Sequence, residues 1–386
     1  MNASTIPYGR QDIRTEDIDA VSEILRSDWL TQGPAVPRFE NAVAVYCGAK
    51  HAIAVNSATS ALHIACLSLG LGPGDRLWTS PNTFVASANC GLYCGAMVDF
   101  VDMDSRSYNI STAALAAKLR RSATDGTLPK IVVAVHFAGQ SCAMAGIHAL
   151  AQQYGFRVIE DASHAIGGRY KGEPVGSCRY SDIAVFSFHP VKIITTGEGG
   201  MALTNDSAVA ARMSRLQTHG ITRDMALMDQ GSEGPWYYEQ IDLGFNYRMT
   251  DIQAALGHSQ LGRIEEYVAR RRELADRYDR LLDDLPLVRP WRSPDADSAW
   301  HLYVVRIAAN LDRKTVFSQL RAAGIGVNVH YIPVHTQPFY KKLGFKHGAF
   351  PEAESYYAQA ISLPMYAILT DSQQDRVAAA LRDSLR

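Results

Sequence analysis

Lys192 sits within Val185-Phe-Ser-Phe-His-Pro-Val-Lys192-Ile-Ile-Thr-Thr-Gly-Glu-Gly-Gly-Met201, a β-rich and mostly uncharged run. Taken alone, a lysine beside a strand lays its aliphatic stem along the protein and ends in water. A lysine fixed among rigid apolar neighbours instead has its ammonium desolvated and its pKa lowered. Its amine then becomes nucleophilic toward a carbonyl. What the rest of the chain places near Lys192 decides between the two.

Two other stretches carry chemistry of a matching kind. Asp161-Ala-Ser-His164 directly follows the apolar strand Arg157-Val-Ile-Glu160. Asn56-Ser57-Ala58-Thr59-Ser60 joins a short apolar strand, 51–55, to a helical run over 61–69. A strand, a small polar turn and a helix amino terminus leave free N–H groups and a positive dipole end facing one point, which suits a phosphate. Simple N-capping by Ser57 or Thr59 explains the same residues without a ligand. Asp161 as a helix cap, His164 as a core histidine and Phe84 as plain core are equally ordinary when taken singly. Together they match the needs of pyridoxal phosphate. That cofactor requires a lysine to hold it, a carboxylate at its pyridine nitrogen, a hydrogen bond at its ring oxygen, a phosphate cup and a flat group over the ring. Lys192, Asp161, His164, the 56–60 turn and Phe84 supply these in turn.

The elements that must position these residues follow from periodicity. Apolar strands are expected over 51–55, 76–79, 97–101, 131–136 and 157–160, without in/out alternation and separated by helices over 36–47, 61–69, 112–121 and 146–154. Such a pattern gives an α/β fold with a mostly parallel sheet covered on both faces, whose ligands gather at the carboxyl ends of the strands. A helix is expected over 207–218, a mobile or interface loop over 221–240, and a long charged helix over 265–284. The smaller α+β part should contain strands over 301–307 and 326–331 and a terminal helix over 372–385. At 386 residues two domains are the natural expectation, a large one over 1–256 and a small one over 257–386.

Bulk properties narrow the partners. The net charge is −1, which argues against a nucleic acid or an anionic membrane held by bulk electrostatics. The cysteines Cys47, Cys66, Cys90, Cys94, Cys142 and Cys178 show no CxxC or Cys/His spacing, so no metal site is expected. They read as buried residues of a reducing compartment. No stretch supplies eighteen uncharged apolar residues, and the expectation is a cytoplasmic protein.

Glu160-Asp161-Ala-Ser-His164-Ala, Phe186-Ser-Phe-His-Pro-Val-Lys192, Thr196-Gly-Glu-Gly-Gly200 and Gly244-Phe-Asn-Tyr-Arg248, in this order, resemble the signature of the DegT/DnrJ/EryC1/StrS nucleotide-sugar aminotransferases. The resemblance runs from Leu30 to Met365. It implies a fold-type I aminotransferase that works as a homodimer with active sites at the subunit interface. By that resemblance Lys192 is the Schiff-base lysine, Asp161 pairs with the pyridine nitrogen and His164 with the ring oxygen. Ala58, Thr59 and Ser187 hold the phosphate, Asn246 reaches it from the other subunit, and Phe84 covers the ring. Relatives with histidine at the lysine position are dehydratases, so Lys192 implies transamination. The narrower resemblance, in Ser57-Ala-Thr-Ser-Ala61, His189-Pro-Val-Lys-Ile-Ile-Thr-Thr-Gly197 and His330-Tyr-Ile-Pro333, is to the transaminases of pseudaminic acid synthesis. It implies L-glutamate as donor and UDP-4-keto-6-deoxy-N-acetyl-β-L-altrosamine as acceptor. Tyr8, Asp28, Trp29, Leu30, Thr31, His330 and Tyr331 would then contact the sugar nucleotide. Another nucleotide-linked keto sugar, or a non-enzymatic regulator that binds the cofactor, remains compatible with the same residues.

Overall fold

The computed structural model describes residues 5–229 and 231–386. A seven-stranded sheet dominates it. Its strands are β1 (His51–Val55), β2 (Arg76–Thr79), β3 (Met97–Phe100), β4 (Ile131–Val135), β5 (Arg157–Asp161), β6 (Ile183–Ser187) and β7 (Gly200–Thr204). Their order across the sheet is β1-β7-β6-β5-β4-β2-β3. β6, β5, β4, β2 and β3 pair in parallel, and β7 runs antiparallel to both of its neighbours. The α/β expectation is therefore met, with one reversed strand.

Both faces of the sheet are covered, which is why its strands lack polar alternation. In β4, Val133 and Val135 pack with α3 (Ala58–Ser68) and α4 (Ala86–Tyr93), while Val132 and Ala134 pack with α5 (Thr112–Asp125) and α6 (Met144–Tyr154). Toward β1 the second face is filled from α2 (Ala35–Cys47) and α8 (Asp251–Leu261). All six cysteines are free and buried, as their spacing implied.

The expected domain division near Gly257 falls inside α8, where the missing side chain lets Phe39 approach: a methyl group on Gly257 would lie 2.6 Å from its ring. The following helix, α9 (Ile264–Leu281), connects two cores. Its Ile264, Tyr267 and Val268 join the α2/α8 cluster, and its Leu274, Ala275 and Tyr278 join a second one with α13 (Asp371–Ser384). That second core covers a three-stranded antiparallel sheet of β8 (Leu287–Val288), β9 (Tyr303–Ile307) and β10 (Ala360–Leu363). The strand expected over 326–331 does not form. Its backbone partners are divided: Gly326 N–H goes to Ile6 at 2.6 Å, Asn328 bridges Ser362, and Tyr331 N–H goes to Asn82 Oδ1 at 3.3 Å. Among the described residues, no helix is long and apolar enough to cross a membrane.

Candidate active site

The carboxyl edge of the large sheet collects the reactive side chains. After β1, Ser57 takes an extended conformation and caps α3. Its hydroxyl accepts from Ser60 N–H at 3.1 Å and its carbonyl from Ala61 N–H at 3.0 Å. The N–H groups of Ala58 and Thr59, first in the helix, have no acceptor among the described residues. Two free donors on a helix amino terminus make an anion cradle. Gly200, which starts β7, lets that strand pass against the turn. A methyl group there would lie 2.4 Å from Ala58 N and 2.5 Å from the Ser57 carbonyl carbon. Ser187, the last residue of β6, lies beside the same space.

Lys192 lies in the connection from β6 to β7, in a turn and not in the β-rich run expected from its neighbours. Pro190 has no N–H to give a ladder, so the chain leaves the sheet here. The loop is nonetheless fixed. Phe188 N–H bonds Gly199 at 2.9 Å, Thr196 N–H and the Thr195 hydroxyl return to Phe188 at 3.0 and 2.9 Å, and Lys192 N–H closes on His189 at 2.9 Å. Ile193 and Ile194 anchor it in the core. Burial lowers the Lys192 ammonium to about 8, and the Asp161 carboxylate partly opposes that shift. This is the direction that makes an amine nucleophilic near neutral pH.

Asp161 ends β5 and is buried. Its Oδ2 accepts from the Ser87 hydroxyl at 2.6 Å, and its Oδ1 from Ser163 N–H at 3.2 Å. His164 Nδ1 accepts from Ala138 N–H at 3.3 Å, and its Nε2 lies 3.1 Å from the Tyr331 hydroxyl. The His301 ring stands 4.4 Å from His164, and its buried Nδ1 has no partner among the described residues. His330 bonds Ser362 through Nδ1 at 2.7 Å. Burial, reinforced by the Lys192 charge, pushes His330 down to about 3 and holds His164 and His301 well below the usual histidine range. Three of the histidines that share the cavity with Lys192 are thus biased toward the neutral form.

These groups surround one cavity of about 970 Å³. Of the residues singled out from sequence, Tyr8, Ala58, Thr59, Phe84, Asp161, His164, Ser187, Lys192, His330 and Tyr331 line it. Five others do not. Asn246 is exposed and touches the 56–60 turn only through its carbonyl, 3.5 Å from Asn56 Nδ2. Asp28, Trp29, Leu30 and Thr31 are exposed and held elsewhere: Thr31 bridges Thr250 and the Leu30 carbonyl accepts from Asp251 N–H at 3.1 Å. Sequence reasoning missed Ser87, Gly200 and His301 as site residues. Ser87 lies in an apolar helix with no spacing to tie it to Asp161. Gly200 was visible only as part of a glycine-rich turn.

A model of the DegT/DnrJ/EryC1/StrS aminotransferase family matches residues 11–382. Spore coat polysaccharide biosynthesis protein SpsC of Bacillus subtilis is 42% identical over 99% of this chain and 97% of its own. Among solved structures, Helicobacter pylori PseC, an aminotransferase involved in the biosynthesis of pseudoaminic acid, superposes with a TM-score of 0.91 at 31% identity over 99% of both chains. The PLP form of Spr1654 from Streptococcus pneumoniae gives 0.88 at 28% identity over 98% of both chains.

Proposed function

This chain belongs to the DegT/DnrJ/EryC1/StrS aminotransferase family, and from that premise we propose that it moves an amino group from L-glutamate to C4 of a nucleotide-linked 4-keto-6-deoxy sugar. It is a sugar aminotransferase, and pyridoxal phosphate is its cofactor. The observation that carries the reading is one cavity in which Lys192, its ammonium lowered by burial, faces Asp161 beside a capped helix with two free N–H donors.

The residues fit the group. Ala58 and Thr59 N–H and the Ser187 hydroxyl would hold the phosphate, against the close approach that Gly200 permits. Asp161, fixed by Ser87 and Ser163, would pair with the pyridine nitrogen, and Phe84 would cover the ring. When bound, the cofactor supplies an electron sink for the carbon that bears the amine. Lys192 would tether it and, once released, carry the proton to and from that carbon. Burial disfavours a charged His164, His301 or His330, so the proton shuttle in this reading is assigned to Lys192.

For the acceptor we favour UDP-4-keto-6-deoxy-N-acetyl-β-L-altrosamine, supported by the likeness to PseC, with Tyr8, His330 and Tyr331 lining the substrate side. A different nucleotide-linked keto sugar is the second reading, favoured by the higher identity to the spore coat polysaccharide protein. Incubation with glutamate and a panel of nucleotide keto sugars, read by mass, separates them. Amination of the altrosamine derivative ahead of the others supports the first, and preference for another sugar replaces it.

The working unit in this reading is a cytoplasmic homodimer. Asn246, Asp28, Trp29, Leu30 and Thr31 are exposed and lie outside their own cavity, which suits delivery to a second subunit's site. Mixing inactive Lys192→Ala and Asn246→Ala subunits should restore part of the activity. No restoration would contradict the shared site.

A further inference from the structure

His164 was expected to meet the cofactor's ring oxygen itself, yet both of its ring nitrogens are taken by this chain. Nδ1 accepts the Ala138 N–H at 3.3 Å, so in the neutral ring the proton is assigned to Nε2. Nε2–H then donates to the Tyr331 hydroxyl oxygen at 3.1 Å. The hydroxyl's own proton has no acceptor among the described residues, and Tyr331 lines the cavity. A hydroxyl fixed through its oxygen and left with a free proton is a donor awaiting a ligand atom.

The strand order indicates which atom. The phosphate turn follows β1, Ser187 and Lys192 follow β6, and Asp161 and His164 follow β5; Ala138 follows β4, next across the sheet. In pyridoxal phosphate the ring oxygen and the phosphate arm flank the carbonyl-bearing carbon on opposite sides. With the phosphate at the β1 and β6 side, the ring oxygen faces the side where His164 and Tyr331 meet. Resting on the cofactor reading above, we propose that Tyr331 presents the hydrogen-bond donor to the cofactor's ring oxygen and that His164 acts through it as a positioning residue.

Tyr331 is braced for this. Its ring contacts Phe84 and Phe137, each with centroids 6.2 Å away, and its backbone N–H donates to Asn82 Oδ1. The titratable groups facing it are His164, His330, Asp161, Tyr8 and Tyr356.

The test is the absorbance of the holoenzyme above 400 nm as a function of pH. A donor on the ring oxygen draws negative charge away from the protonated nitrogen that joins Lys192 to the cofactor. Removing it raises the pH at which that nitrogen loses its proton. Tyr331→Phe should raise the midpoint by about one to two pH units, the worth of a hydrogen bond to a charged group. His164→Ala, which leaves the donor present but unpositioned, should move it less in the same direction. 3-Fluorotyrosine at position 331, a stronger donor of nearly the same shape, should lower it, which keeps the test decisive if the phenylalanine variant folds poorly. An unmoved midpoint in both Tyr331 variants, with the whole shift in His164→Ala, would overturn the assignment and return the contact to His164. A wild-type protein that forms no such band would overturn the cofactor reading, and this proposal with it.

Discussion

The Ser87 hydroxyl lies 2.6 Å from Oδ2 of Asp161, joining α4 to the carboxyl end of β5. With Ser163 N–H on the other oxygen, each carboxylate oxygen has a donor that fixes its direction. A carboxylate that must meet one ring nitrogen gains from such restraint. Ser87→Ala removes one donor and leaves the charge. It should lower turnover or cofactor affinity about tenfold, the lower end of the worth of a hydrogen bond to a charged group, with unchanged far-UV circular dichroism. Equal kinetics would show that the Ser163 N–H and packing hold Asp161 without Ser87.

Gly200 is the second point where one atom decides the site. Gly200→Ala would drive a methyl into the Ser57–Ala58 peptide. The 56–60 turn, proposed above to hold the phosphate, must shift, so retention of pyridoxal phosphate on dialysis should fall sharply while the fold persists. Full retention would place the phosphate elsewhere.

The difference between what was legible and what was not follows from these residues. The large sheet was readable because strands such as Ile131–Val135, buried on both faces, run apolar without alternation. Asp161 and the 56–60 turn could be found because each sits where a strand ends, and Lys192 because it is a single lysine in a mostly uncharged run. Ser87, His301 and the Tyr331–His164 contact could not. They depend on helix rotation and long-range approach, which local periodicity does not record. The strand expected over 326–331 failed for a related reason. Its apolar alternation is real, but its hydrogen bonds go to Ile6, Ser362 and Asn82, far apart in sequence.

Lys192 gives a prediction in pH. An ordinary lysine is almost wholly protonated at neutrality, while burial lowers this one to about 8. Only the neutral amine attacks a carbonyl. Capture of pyridoxal phosphate by the cofactor-free protein should therefore accelerate about tenfold per pH unit below that midpoint and level off above it. A rate still climbing at the same slope past pH 9.5 would mean an unshifted lysine.

Beside Asp161, Glu160 points to the other side of β5 and bonds two partners. Its Oε2 accepts from His136 Nε2–H at 2.6 Å and its Oε1 from the Ser181 hydroxyl at 2.5 Å, while His136 Nδ1 accepts from Cys142 N–H at 3.2 Å. Glu160→Leu strands the buried His136 N–H and releases the half-buried Ser181 hydroxyl, at a cost of about 2 kcal/mol in unfolding free energy. Urea denaturation reads that loss directly. An unchanged midpoint would show that water replaces the carboxylate.

One lysine, Lys192, is proposed to carry the cofactor. Borohydride reduction of the pyridoxal phosphate-loaded protein, followed by peptide mass analysis, tests it most directly. The reduced cofactor should be found on the peptide containing Lys192 and absent from that peptide in Lys192→Ala. A label on a different lysine, or an undiminished yield in the Lys192→Ala protein, would contradict the account.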